Sequence, residues 1–125
     1  MMDSPIVVCT LIGKANAILD KDGRLLADQL EEMWRHNGHA TVSFAGINHV
    51  TSAFLNAAWG RFLLHVGPLS DRQARAHAVE FIDLAPDAHR TEIVQHMLSQ
   101  ITRKALDAHY SQQYDEALNE AAYAA

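Results

Sequence analysis

The chain has one cysteine in 125 residues, which excludes an internal disulfide. Cys9 lies within an apolar run, so a structural thiol in the core is expected ahead of redox chemistry or a thiolate metal site. Basic charge is also scarce: ten lysines and arginines against fifteen acidic residues give a net charge of −5 and a pI near 5.8. These basic residues are scattered, so no positive field is laid out for a phosphate backbone and nucleic acid is not an expected direct partner. No long hydrophobic segment occurs. The run Ile6-Val7-Val8-Cys9-Thr10-Leu11-Ile12 falls far short of the roughly 20 residues that span a bilayer, and no basic stretch precedes it as in a signal peptide. The expectation is a cytoplasmic protein with no membrane association. Low-complexity tracts are missing too, and 49% hydrophobic with 20% charged residues is a globular composition. A chain of this length builds one core, so a single folded domain is expected.

The usual signatures of enzymes and metal sites are equally absent. There is no HExxH or CxxC pattern, no G-x-S-x-G elbow, no GxxxxGK[ST] phosphate loop and no GxGxxG fingerprint. Eight histidines invite a metal reading. His36 and His39 straddle Asn37-Gly38 at a helix end, and His89 and His96 lie two helical turns apart, but no carboxylate pattern accompanies them; surface or capping roles are expected. Asp20-Lys21-Asp22-Gly23 resembles the start of a calcium loop but has Leu25 at the sixth position, where the loop's sharp turn needs glycine. Asp20 and Asp22 therefore read as helix-start residues. Ser52 with His49 nearby offers a nucleophile and a base, without an evident third group to orient the histidine. A non-enzymatic protein without metal or cofactor is expected.

The periodicities that are present alternate. Ile6–Ile12, closed by Gly13, reads as a strand covered on both faces. Asp20 or Asp22 caps a helix carrying Leu25, Leu26, Leu30, Met33 and Trp34, ended by Asn37-Gly38. From His39 to Gly46, Val42 and Phe44 alternate with Thr41 and Ser43 as a second strand. A second helix runs from Thr51 through Phe54, Leu55, Ala58, Trp59, Phe62, Leu63 and Val66 to Gly67-Pro68. Ser70 to Arg75 reads as a loop or the start of a rising strand, Ala76 to Leu84 as the third strand. Pro86 suits the first turn of a third helix, with Ile93, Val94, Met97, Leu98, Ile101 and Ala105 facing the core. This βαβαβα order predicts an α/β sandwich with a mainly parallel or mixed sheet and helices packed on it.

One stretch carries more than packing. In INHVTSAFLNAAWG, residues 47 to 60, a turn-like Asn48-His49 precedes Thr51-Ser52 and then an apolar helical face. A hydroxyl here caps the helix, for about 1 kcal/mol, and the same N-terminus stabilises an anion through unpaired N–H groups and partial positive charge. His49 adds an imidazole to that turn, able to help form an anion site, contact a partner or simply be solvated.

The order and local patterns resemble the STAS-like domains of unknown function, related to the STAS domains of anti-sigma factor antagonists. The resemblance covers roughly 6 to 104 and rests on VSFAGINHVTSAF, ILDKDGRLLADQL and AVEFIDLAPDAHRTEIVQHML, the first being the most specific. In the antagonists the strand leads to an Asp-Ser-Ser-Gly turn at a helix N-terminus, where an anti-sigma kinase phosphorylates a serine. Alignment places Thr51 on the aspartate, Ser52 on the first serine, Ala53 on the usual acceptor and Phe54 on the glycine. A slip of one residue puts Ser52 at the acceptor position. The STAS-like family commonly has an aspartate before the phenylalanine of the second strand, where this chain has Ser43, and Lys21 matches a basic residue of the family's first turn.

The resemblance implies a bacterial regulatory module that acts by partner switching, with His49, Thr51, Ser52, Ala53 and Phe54 as its working turn. The implied partner is a protein, such as a histidine-kinase-like ATPase or anti-sigma-type kinase, with Ser52 and Thr51 as the hydroxyls open to phosphorylation. The alternative is a small-ligand or nucleotide-binding domain using the same helix N-terminus as an anion site. The domain is expected over 1–107, followed over 108–125 by a helical extension or tail. Tyr110, Tyr114 and Leu118 form a stripe there, suited either to docking on the chain's own sheet or to a homodimer contact.

Overall fold

The computed structural model describes residues 4–64 and 68–107. Its elements are β1 Ile6–Val7, α1 Val8–Ile12, β2 Asn16–Ala17, α2 Asp20–Asn37, β3 Ala40–Ser43, β4 His49–Val50 and α3 Ser52–Leu55. A π-helical turn, Asn56–Gly60, and α4 Arg61–Leu64 continue α3 without a break; α5 Leu69–Ala78, β5 Val79–Ile82 and α6 Ala88–Leu106 follow. β3 is the central strand of a parallel three-stranded sheet, order β1-β3-β5, with Val42 opposite Ile6 on one side and Phe81 on the other. β2 and β4 form a separate parallel pair, Asn16 opposite His49 and Ala17 opposite Val50. The chain is thus an α/β domain with a small parallel sheet and a majority of helix.

One apolar cluster joins the elements. Val42 and Phe44 from the β3 region meet Leu26 and Leu30 of α2, Phe54, Trp59 and Phe62 of the helix over 52–64, and Val94, Leu98 and Ile101 of α6. Trp59 stacks on Phe62 with centroids 5.8 Å apart and meets Phe81 edge-on at 5.0 Å. Its indole N–H is satisfied by Thr102 Oγ1 at 2.8 Å, which in turn donates to the Leu98 carbonyl, so the ring is buried without an orphaned donor. The Trp59-Phe62-Leu63 face is therefore core.

Several sequence expectations are corrected. The run Ile6–Ile12 is a strand only at Ile6–Val7, and Val8–Ile12 is a helical turn. Gly13 does end the run, but as a left-handed C-cap at φ 70°, its N–H bonded to the Cys9 carbonyl at 2.9 Å. Val8 and Ile12, four residues apart, are the positions buried in that turn. A short apolar run has no period that separates a covered strand from a buried helix, and β3 offers β1 only two partners. Ser70 to Arg75 is helical, part of α5, and the third strand shrinks from 76–84 to Val79–Ile82. The reason is chemical: α5 buries Arg72 and Arg75, not aliphatic residues, so its inward face looks solvent-directed by hydropathy. Arg75 forms a two-pronged ion pair with Glu31 and lies 5.6 Å from the Trp34 ring centroid and 4.6 Å from that of Phe62.

Smaller shifts concern helix starts and the turn. α2 begins at Asp20 behind Leu19 with no side-chain cap, so neither Asp20 nor Asp22 is its cap. Pro86 precedes the first turn of α6, whose cap is Asp87, accepting the Arg90 N–H at 2.8 Å. Asn48-His49 is not a simple turn, because His49–Val50 is β4. With the β2–β4 pair, α1 and α5 added, the element order is richer than βαβαβα. The stop read at Gly67 and the stripe Tyr110, Tyr114 and Leu118 lie outside the described residues.

Candidate functional site

The turn leading into α3 is built by two strands and a hydroxyl. β4 pairs with β2, the Asn48 N–H reaches the Ala15 carbonyl at 2.6 Å, and the Thr51 N–H reaches that of Ala17 at 3.1 Å. Thr51 is the N-cap of α3: its Oγ1 accepts the Phe54 N–H at 3.2 Å and donates to the Ile18 carbonyl at 2.8 Å. The single hydroxyl proton of Thr51 is thereby committed to a backbone carbonyl 33 residues earlier.

The five residues assigned to the working turn divide. Thr51 is half-buried and fixed, whereas His49, Ser52 and Ala53 are exposed. Phe54 is wholly buried, so it anchors the turn in the core and presents nothing to a partner, a correction to its place in the contact surface. Among the described residues the Ser52 hydroxyl makes no hydrogen bond, while its carbonyl accepts from Asn56 Nδ2 at 2.9 Å. That side-chain bond sits at the junction with the π-helical turn, a form that is rare and concentrated at functional sites.

Two features beside the turn carried no sequence signal. Ile18 and Leu19 follow β2 and are 43% and 45% exposed, next to the carbonyl that Thr51 binds. Strand alternation and helical spacing both leave them unassigned, because they sit in the two-residue junction between β2 and α2. The second feature is Gly23 in α2. A Cβ there would stand 2.5 Å from the Phe54 carbonyl oxygen and 2.8 Å from the Ala57 Cβ, so α2 crosses the helix over 52–64 in near-backbone contact. The DKDG stretch is thus a packing motif. Its buried Asp22 pairs with Lys14 at 2.8 Å, and Lys21 is exposed.

At the carboxyl ends of β3 and β5 stands another pair. Ser43 is buried, accepts the Ala45 N–H at 3.2 Å and donates to Asp83 Oδ2 at 3.1 Å. The Ser43 hydroxyl is thereby satisfied by a carboxylate one residue beyond β5. Asp83 adopts φ 52°, the left-handed region that only a few non-glycine residues visit, aspartate among the most tolerant.

The same end of the sheet holds a groove of about 180 Å³, between residues 47–50, residues 84–85 and α6. Ile47, Val50, Leu84, Val94 and Met97 wall it, with Asn48, His49, Arg90 and Ile93 the exposed members of its lining. Arg90 Nη1 reaches across to the Asn48 carbonyl at 3.4 Å, and its Nε stands 3.4 Å from Asp87. Crevices beyond the carboxyl ends of parallel strands are where open α/β sheets bind ligands. Ser52 is not part of the groove lining, and no hydrogen bond joins it to His49.

Among the described residues no group of three or more His, Cys, Asp or Glu side chains is placed to hold a metal ion. None of the helices among them is long and apolar enough to cross a membrane. A scan against protein-family models finds none that matches the chain, and searches of curated proteins and of solved structures return no match either.

Proposed function

We propose that this chain is a cytoplasmic, non-enzymatic regulatory module of the STAS-like kind that binds a partner protein through His49, Ser52 and Ala53, with Ile18 and Leu19 beside them. The observation that carries this reading is the contrast at Thr51. Its hydroxyl is bonded in both directions and holds the turn rigid, while the residues around it are left to solvent. Of the four large hydrophobics exposed among the described residues, two, Ile18 and Leu19, lie in this place. Apolar side chains next to a preorganised turn favour protein recognition, since little conformational freedom is lost on docking.

The partner class follows from the family resemblance: a histidine-kinase-like ATPase or anti-sigma-type kinase. Where such a kinase acts on this turn, Ser52 is the acceptor that the geometry favours, because Thr51 would give up two hydrogen bonds on modification. A phosphate on Ser52 would sit at the first turn of the helix, stabilised by its N–H groups, and would add about −1.5 to −2 charges to the contact surface. A homodimer through Tyr110, Tyr114 and Leu118 remains part of the proposal.

The test is a calorimetric titration against any such ATPase encoded in the same genome. Ser52→Asp and Ile18→Asp should each lower affinity at least about tenfold, as a charge placed in a docking surface does, with the circular dichroism spectrum unchanged. Equal affinity for wild type and both variants would reject the surface.

A second reading, a small-ligand or nucleotide site, draws on the helix N-terminus, where the N–H groups of Ser52 and Ala53 precede the first intrahelical bond and His49 is exposed nearby. Thermal shifts with phosphate, ATP and GTP test it, and unchanged melting with all three counts against it.

A further inference from the structure

We propose that the groove between residues 47–50 and α6 receives one apolar side chain of the partner protein, presented next to a carboxylate that Arg90 engages. This deepens the partner-binding reading and rests on it. The groove adjoins the proposed surface, since His49 and Val50 line it and lead directly into Thr51.

Size selects the occupant. About 180 Å³ is close to the ~150 Å³ cavity that takes up benzene and lies below the ~300 Å³ at which small-molecule sites begin. A leucine, methionine or phenylalanine side chain fills such a space, and a nucleotide exceeds it. The walls agree, because Ile47, Val50, Leu84, Val94 and Met97 offer only aliphatic and thioether surface. Ile93 at the mouth is 47% exposed, an apolar edge that a free small molecule inside would leave wet and a covering chain would bury.

Charge selects what accompanies that side chain. Arg90 is half-exposed, and both contacts of its guanidinium, to the Asn48 carbonyl and to Asp87, are 3.4 Å long. Well-formed charge-assisted bonds are about 2.7–2.9 Å, so a partner carboxylate would replace the Asn48 carbonyl with a shorter, forked pair. Asp87 shares the guanidinium from the other side, which keeps Arg90 oriented while only partly neutralising it. A second groove, lined by Trp59, Val79, Phe81, Leu98 and Thr102, has no charged residue in its lining and offers no such selection.

The experiment is an amide NMR titration of the full chain with N-acetyl-L-leucine and, separately, N-acetyl-L-leucinamide, which differ only in the carboxylate. Both should move the amides of residues 47–50 and 93–97 in a saturable way, the acid binding about three- to tenfold more tightly. Arg90→Gln should erase that difference while leaving the weak binding of the amide. Ala85→Phe, at a partly exposed wall position, should abolish both. One buried side chain supplies a Kd of roughly 10–100 mM, so absence of saturation by the acid at about 200 mM overturns the proposal; so does equal affinity for the two probes. Probe failure together with a Ser52→Asp effect on the partner complex removes the groove and keeps the partner-binding surface. Probe binding in a chain whose partner complex ignores Arg90→Gln and Ala85→Phe would make the groove a site for free small acids, and that also overturns the proposal.

Discussion

Ser43 and Asp83, forty residues apart in the chain, meet at the carboxyl ends of adjacent parallel strands through a 3.1 Å hydrogen bond. The bond satisfies a buried hydroxyl and holds Asp83 in a left-handed conformation. Asp83→Ala removes the acceptor and places a residue poorly suited to that region, so it should cost about 1–3 kcal/mol in urea denaturation. Asp83→Asn keeps an acceptor and tolerates the same φ; it should recover most of the loss. Equal destabilisation by the two would mean that charge, not the hydrogen bond, matters there.

Gly23→Ala sets helix propensity against packing. Propensity alone favours alanine by about 1 kcal/mol in a helix interior. The added Cβ would stand 2.5 Å from the Phe54 carbonyl oxygen, backbone that cannot swing aside. The net effect should be destabilising by about 1–3 kcal/mol, seen as a lower melting temperature, because overpacking outweighs propensity. A raised melting temperature would show that α2 and the helix over 52–64 can separate freely.

Thr51→Ala should cost about 1–2 kcal/mol, the upper part of the usual range for a lost cap, because the Ile18 carbonyl also loses its donor. Amide hydrogen exchange locates the effect: the Phe54 N–H should lose protection while residues of α6 do not. Thr51→Asp, which keeps a capping oxygen but donates nothing to Ile18, should fall between wild type and alanine.

Arg75→Ala should be the most disruptive of these changes, about 3–5 kcal/mol, since it removes one partner of a largely buried ion pair and uncovers the Trp34 and Phe62 rings. Arg75→Met, which retains the apolar stem, should lose less. Chemical denaturation of the two variants separates the packing share from the ionic one.

The sequence alone determined those features that rest on local rules. The helix over 20–37 with its Gly38 cap, the Thr51 cap, the central strand around Val42 and the stripe of α6 all come from periodicity and capping chemistry, which neighbours in the chain suffice to specify. Other features came from contacts between distant segments, and there local pattern had no hold. Val8–Ile12 turned helical where β3 offers it no further partners; α5 hid behind buried arginines, and the partners of Arg75, namely Glu31, Trp34 and Phe62, come from elsewhere in the chain. The proposed surface divides in the same way. Thr51 and Ser52 were visible as a helix start, yet only the folded chain decided that Thr51 is tied to Ile18, that Phe54 is core, and that Ile18 and Leu19 lie open beside them. Burial is a property of the whole packed chain, so which side chains a partner can reach was settled by tertiary structure.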